Sequence, residues 1–285
     1  MTESPTAAVQ AARRQLAARL REIRTEAGLT ATELARRLDW YPSKVSRIEH
    51  ARTPPAIADI RVWCAACGAD NAVDDLVASA QSADSMYMEW RRLQKTGLRH
   101  LQESRAELYD RTRLFRVYCS TVIPGLLQTP AYAAALLESI SRFHNTPNDV
   151  AEAVEARMKR SRVLYTNGNR FSVLVEESVL RYQIGDTETM AGQLGYLLTL
   201  MSLPSVSLGV IPFSAPRPTW PLETFNVFDD ARVHVELLSA AVKITAPSEV
   251  EQYVRASKTM AGMAVYGSAA RELITEAITH LGYTE

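Results

Sequence analysis

Apolar residues recur at helical spacing through the first eighty positions. Leu16, Leu20 and Ile23 share one stripe of a predicted helix from Gln10 to Ala27, ended by Gly28. Arg13, Arg14, Arg21 and Arg24 surround that stripe and are expected to be solvated. Leu34, Ala35 and Leu38 mark one face of a short second helix, and Val45 and Ile48 mark one face of a third. Only Asp39, Trp40 and Tyr41 separate these two, the connection length of a helix-turn-helix. Pro42 suits the first turn of the third helix, where a missing N–H costs nothing. Ile57, Ile60 and Trp63 predict a fourth helix from Ala56 to Cys67, with Val62 and Cys67 also on its inner side and Gly68 closing it. A fifth begins near Asp70 and carries Val73, Leu76 and Val77, while residues 1–9 read as a loose tail.

Beyond a boundary placed near residue 80, the period changes. Ser82 to Leu108 reads as helix broken near Gly97, with Met86, Trp90, Leu93, Leu98 and Leu101 as apolar points and Arg91, Arg92, Lys95 and Arg99 as its solvated basic face. Leu114 to Tyr118 alternates apolar and polar, as a strand does. Further strands are predicted at Phe171 to Val175, Val206 to Ile211, Thr224 to Phe228 and Val233 to Leu237, separated by Asn-Gly, Pro-rich and Asp-Asp turns. Helices are predicted at Pro130 to Ser141, Pro147 to Leu164, Asp186 to Met201, Pro247 to Met263 and Ser268 to Leu281. The chain is therefore expected to be mainly α: a five-helix domain over residues 1–80, then an α+β domain over 81–285.

Charge sharpens this division. The 285-residue chain has no formal net charge, 32 basic against 32 acidic residues, but Gln10 to Ala69 holds eleven Lys or Arg against six Asp or Glu. A basic front on a neutral protein is drawn to phosphate without sticking to nucleic acid indiscriminately. Three cysteines argue against a disulfide framework and for a reducing compartment. Cys64 and Cys67 form a C-x-x-C pair with no further ligands at zinc spacing, so cysteine is read here as a small apolar residue, and no metal or cofactor is expected. No apolar run approaches the roughly 18 residues of a membrane span. A cytoplasmic protein with no membrane association is expected.

If Val45 and Ile48 point inward, the third helix turns Ser43, Lys44, Ser46 and Arg47 outward or sideways. The string Leu29-Thr30, Glu33-Leu34-Ala35, Val45-Ser46-Arg47-Ile48-Glu49, then Arg52 and Pro54, resembles the lambda-repressor-like helix-turn-helix regulators of the Xre type. It departs from their pattern at Ala31, where they carry glutamine, and at His50-Ala51, where they carry glycine after the recognition helix. On this reading Ser43, Lys44 and Arg47 face base edges, Arg47 able to take a guanine bidentately. Ser46, Tyr41, Thr32 and Arg52 hold phosphates and fix register.

A second string, Val122-Ile123-Pro124-Gly125-Leu126-Leu127-Gln128-Thr129 with Tyr132-Ala133, resembles the C-terminal domain of the actinobacterial regulators related to WhiJ. Arg157 to Arg160, Phe171 to Glu177, Val179 to Arg181, Gln193-Leu194 and Val210 to Pro212 follow in that family's order, with Ser161 in place of its usual glutamine. The resemblance implies that a small acidic protein acts as the signal.

No catalytic constellation is found, so no enzyme activity is expected. Glu176 and Glu177 are adjacent and would face opposite ways on a strand, leaving a salt link to Arg181 or Arg160. The loop Pro212 to Pro221, with Phe213, Arg217 and Trp220, is either a binding surface or a rigid connection. The expected function is a regulator, a repressor by preference, binding a double-stranded DNA operator as a homodimer. The alternative is an antitoxin-like protein that sequesters a partner and autoregulates its own operon.

Overall fold

The computed structural model describes residues 5–82, 87–89, 97–238 and 240–282. It divides into two compact units, Met1–Tyr87 with Lys243–Val250 and Met88–Val242 with Glu251–Glu285.

The first unit holds α1 (Pro5–Glu26), α2 (Ala31–Arg37), α3 (Pro42–Glu49), α4 (Ile57–Cys67) and α5 (Val73–Ser82). Leu16, Leu20, Ile23, Leu34, Val45, Ile48, Ile60 and Trp63 make one buried core. The Trp63 indole N–H donates to the Leu20 carbonyl at 3.1 Å, so the one polar atom of the largest core side chain is satisfied. Two expectations change. The first helix starts at Pro5, inside the stretch read as a tail. Val62 is exposed, because one step back from Trp63 is about 100° around the helix and off the inward stripe.

Four helices of this unit end the same way. In each, the residue after the last turn is left-handed: Gly28 (φ 70°), Asp39 (φ 54°), Ala51 (φ 53°) and Gly68 (φ 67°). The next N–H reaches back to close the helix, as from Leu29 to the Arg24 carbonyl, Trp40 to Ala35, Arg52 to Arg47 and Ala69 to Cys64. Ala51 thus adopts the shape a glycine would give, at a steric cost. Ala51→Gly is expected to stabilise the unit by about 1 kcal/mol, read as a rise in thermal midpoint.

The rest of the chain is built on a seven-stranded sheet. In chain order its elements are β1 (Tyr87–Glu89), α6 (Leu98–Glu103), α7 (Ala106–Arg111), β2 (Leu114–Cys119), α8 (Pro130–His144), α9 (Val150–Ser161) and β3 (Arg170–Glu176). These are followed by α10 (Glu177–Arg181), α11 (Thr187–Leu200), β4 (Val206–Ile211), β5 (Phe225–Phe228), β6 (Arg232–Glu236), β7 (Ala240–Ile244), α12 (Pro247–Ala261) and α13 (Gly267–Leu281). The strand order is β1-β7-β6-β5-β2-β3-β4. β2, β3 and β4 run parallel, and the helices between them supply the crossovers that parallel pairing demands. β5 and β6 are antiparallel, joined through Asp229 and Asp230, both at φ 52°, the backbone a tight hairpin turn requires. Phe115 and Phe171 stack across β2 and β3 with ring centres 4.6 Å apart. The observed class is the expected one, a helical domain followed by an α+β domain.

The helix expected from Ser82 to Leu108 is not continuous. Tyr87–Glu89 is a strand, and Leu98–Glu103 is a helix of its own. Met86, Trp90, Leu93, Arg91, Arg92 and Lys95 lie outside the described residues. The start of that helix at Gly97 has a physical cause. The Asp149 carboxylate accepts the N–H groups of Leu98 and Arg99 at 3.0 and 2.8 Å, capping α6 from a distant loop. Gly97 sits at φ 93°, and a Cβ there would fall 2.1 Å from Asp149 Oδ2. Gly97→Ala is therefore expected to cost about 2 kcal/mol by denaturant titration, through the displaced cap and the strained backbone.

The Ile123–Thr129 string is an internal staple. Gln128 donates to the Ile123 carbonyl at 2.7 Å, and Gln193 of α11 accepts from Thr129 N–H (2.7 Å) while donating to the Leu127 carbonyl (2.8 Å). Thr129 caps α8 by accepting the Tyr132 N–H at 3.3 Å. Gln128 and Gln193 are buried, so these bonds meet the polar demand of a loop that would otherwise be unsatisfied.

Candidate nucleic-acid interface

α3 is held by Val45 and Ile48, both fully buried, and the opposite side of the helix is left to solvent. Ser43, Ser46, Arg47 and His50 are exposed at i, i+3, i+4 and i+7, a single stripe. Tyr41, which precedes the helix, is 83% exposed. Thr32 is exposed in the first turn of α2, and Arg52 is exposed just past the left-handed Ala51. Among the described residues, the side chains of Tyr41, Ser43, Arg47 and Arg52 form no hydrogen bond or ion pair. Six of the seven expected DNA-contacting side chains thus lie exposed on α2, α3 and the residues flanking α3.

Lys44 is the exception. Its ammonium pairs with Asp59 at 2.7 Å and lies 3.7 Å from the centre of the Trp40 ring. The expectation that it faces base edges gives way, because an ion pair and a cation–π contact both turn it across its own domain. Asp59 also accepts the Ala56 N–H at 3.0 Å, so Lys44 ties α3 to the start of α4. His50 was not anticipated as a contact residue. Its Nδ1 donates to the Ser46 carbonyl at 2.7 Å, which fixes the ring against the helix. Its spacing from Ser43 and Ser46 was the available signal.

Two devices aim this surface. At the start of α2, the Thr30 side chain accepts the Glu33 N–H at 3.2 Å, and the Glu33 carboxylate accepts the Thr30 N–H at 2.7 Å, a capping box. That backbone hydrogen bond holds the Glu33 carboxyl below its ordinary range. Behind α3, Arg24 is buried, contrary to the solvated role expected of it. Its Nε and Nη2 donate to the two oxygens of Glu49 at 2.5 and 3.2 Å, and its Nη1 donates to the Leu29 carbonyl. The fork clamps the end of α3 to α1 and leaves neither charge alone.

Cys64 is buried in the core of this unit and Cys67 is half-buried; burial pushes both thiols up, away from the reactive thiolate. Among the described residues no group of three His, Cys, Asp or Glu side chains is placed to hold a metal ion.

In the second unit Glu176 and Glu177 take separate partners. Glu176 accepts from both terminal nitrogens of Arg217 at 2.8 and 2.6 Å and from the Tyr118 hydroxyl at 2.9 Å. Burial, then this hydrogen bond, pushes the Tyr118 phenol well up. Glu177 accepts from Arg181 at 3.1 Å and from the Phe213 N–H at 3.0 Å. Of the two links expected for this carboxylate pair, the one to Arg181 forms; Arg160 instead turns to Gln102. The loop Pro212 to Pro221 is thereby pinned at its start and middle, yet it shows Phe213 (64%) and Trp220 (72%) to solvent. It is a rigid connection that carries two exposed aromatic rings.

Residues 15–78 match the model of a helix-turn-helix domain, and residues 104–276 match that of a domain of unknown function, DUF5753. No curated protein matches the chain. The first match runs from within α1 to within α5, taking in α2, α3 and α4 whole, and no helix among the described residues is long and apolar enough to cross a membrane.

Proposed function

Because the chain belongs to the DUF5753 family and carries a helix-turn-helix DNA-binding domain ahead of that module, we propose that it is a sequence-specific transcription regulator acting as a repressor. One observation carries the reading: the α3 stripe of Ser43, Ser46, Arg47 and His50 is exposed, while Val45 and Ile48 of that helix are buried. A helix so presented enters a major groove, where a guanidinium matches the two acceptors of guanine. Arg47 and Ser43 read base edges. Ser46, Tyr41, Thr32 and Arg52 hold phosphates, and Lys44 serves the domain's own architecture.

One helix of eight residues reads few base pairs, so the protein acts as a homodimer on two half-sites about one helical turn apart. The second unit supplies the dimer contacts and receives the signal without catalysing a reaction. Kinship with the WhiJ-related regulators, and a small acidic protein as the signal, belong to the same proposal. The exposed Phe213 and Trp220 on a pinned loop support a protein partner, since aromatic side chains are the favoured anchors of such surfaces.

Selection of bound fragments from genomic DNA by the purified chain, followed by footprinting, tests the proposal. Two protected half-sites about 10 base pairs apart are expected. Uniform binding with no protected sequence, or a monomer by sedimentation at saturating operator, would refute it.

A further inference from the structure

Among the described residues, the interior of the second unit holds more positive charge than its partners cancel. Arg157 and Arg160 stand about one turn apart on the inward stripe of α9 and are only 9% and 7% exposed. Arg157 donates to Gln102 Oε1 at 3.3 Å and to Gln128 Oε1 at 2.5 Å. Arg160 donates to Gln102 Oε1 at 2.9 Å and to the Gln102 carbonyl at 3.2 Å, and its guanidinium lies 4.8 Å from the Tyr109 ring centre. Every one of these acceptors is neutral. The buried Nε of Arg160 has no hydrogen-bond partner among the described residues.

Among the described residues a single carboxylate, Glu236, lies within electrostatic reach, and it is already paired with Arg105 at 2.7 Å. Arg105 and Glu236 lie nearer the surface and cancel one another, so among the described residues the two positive charges of Arg157 and Arg160 stand unbalanced. Burial, then the like charge of Arg160, lowers Arg157 to about 9, which leaves it cationic at neutral pH. A chain gains nothing for its own stability by enclosing such an excess, since buried charges favour the fold only when paired. Gly125 faces the cluster: a Cβ there would lie 3.9 Å from Arg160 Nη2 and 4.0 Å from Arg157 Cζ. The glycine thus lets bare backbone approach the guanidiniums.

We infer that Arg157, Arg160, Gln128 and Gly125 form a receptor for a small ligand bearing a doubly charged oxyanion, a phosphate monoester by class. Two guanidiniums on one helix stripe call for both negative charges on one compact group, which a phosphate monoester provides and a dicarboxylate divides between two ends. The site stands independently of the DNA-binding reading, because it lies wholly within the second unit and its test uses no DNA.

The test is calorimetric titration of the full chain with glycerol 3-phosphate, inorganic phosphate and succinate at matched ionic strength, with thermal midpoints alongside. Saturable binding of both phosphates, a rising midpoint, and succinate at least about tenfold weaker are expected. Arg160→Gln and Gly125→Ala should each weaken phosphate at least about tenfold. Should Arg160→Gln fail to fold, Gly125→Ala decides, because its methyl group meets only ordinary contact distances. No saturable binding overturns the site; unchanged binding in a folded variant marks an adventitious ion only and does the same. Succinate as tight as phosphate overturns the assigned class.

Discussion

Glu49→Ala is expected to destabilise the helix-turn-helix unit by about 3–5 kcal/mol, the largest effect of any single change considered. Both members of the Arg24–Glu49 pair are nearly sealed from water, with side chains 9% and 5% exposed. Removing the carboxylate strands a guanidinium in that interior, and the loss is dominated by its uncompensated charge. The joint replacement Arg24→Met with Glu49→Leu is expected to recover most of the loss, since two apolar side chains of similar length need no partner. Amide hydrogen exchange over residues 15–78, read against denaturant, measures both. A single Glu49→Ala variant within about 1 kcal/mol of the parent would show that the pair is not what clamps α3 to α1.

Arg47→Ala is expected to weaken binding to the selected operator by about 1–3 kcal/mol, concentrated at one base position. Arg52→Ala is expected to weaken all sequences alike and to flatten the salt dependence by about one counterion. The difference follows from position. Arg47 sits in the middle of the exposed stripe of α3, whereas Arg52 stands beyond the left-handed Ala51, off α3 itself. Titrations against the operator and its point variants at several salt concentrations separate the two roles. Equal, sequence-blind losses from both substitutions would remove Arg47 from base reading.

The sequence by itself determined the helical plan of the first unit and most strands of the second. Leu16, Leu20 and Ile23 at helical spacing, Gly28 and Gly68 at helix ends, and alternation in Leu114 to Tyr118 are local signals, and local geometry answers to them. The outward stripe of α3 was legible for the same reason: two buried apolar residues fix which way an eight-residue helix faces. β7 was not legible, since Ala240 to Ile244 has little apolar alternation and owes its strand to the sheet beside it.

Only the tertiary structure decided the fate of the charges. Arg24, Arg47, Lys44 and Arg157 look alike in a sequence. One is buried against Glu49, one is open to solvent, one is folded onto Trp40 and Asp59, and one lies inside the second unit with neutral amides for company. A stripe running Val150, Ala153, Arg157 and Leu164 already placed an arginine on an inward face, but the pattern alone does not say that the charge stays there unpaired. The reason is physical: an apolar side chain carries its preference for burial with it, whereas a charged one is settled by partners from distant parts of the chain, which only folding brings into reach.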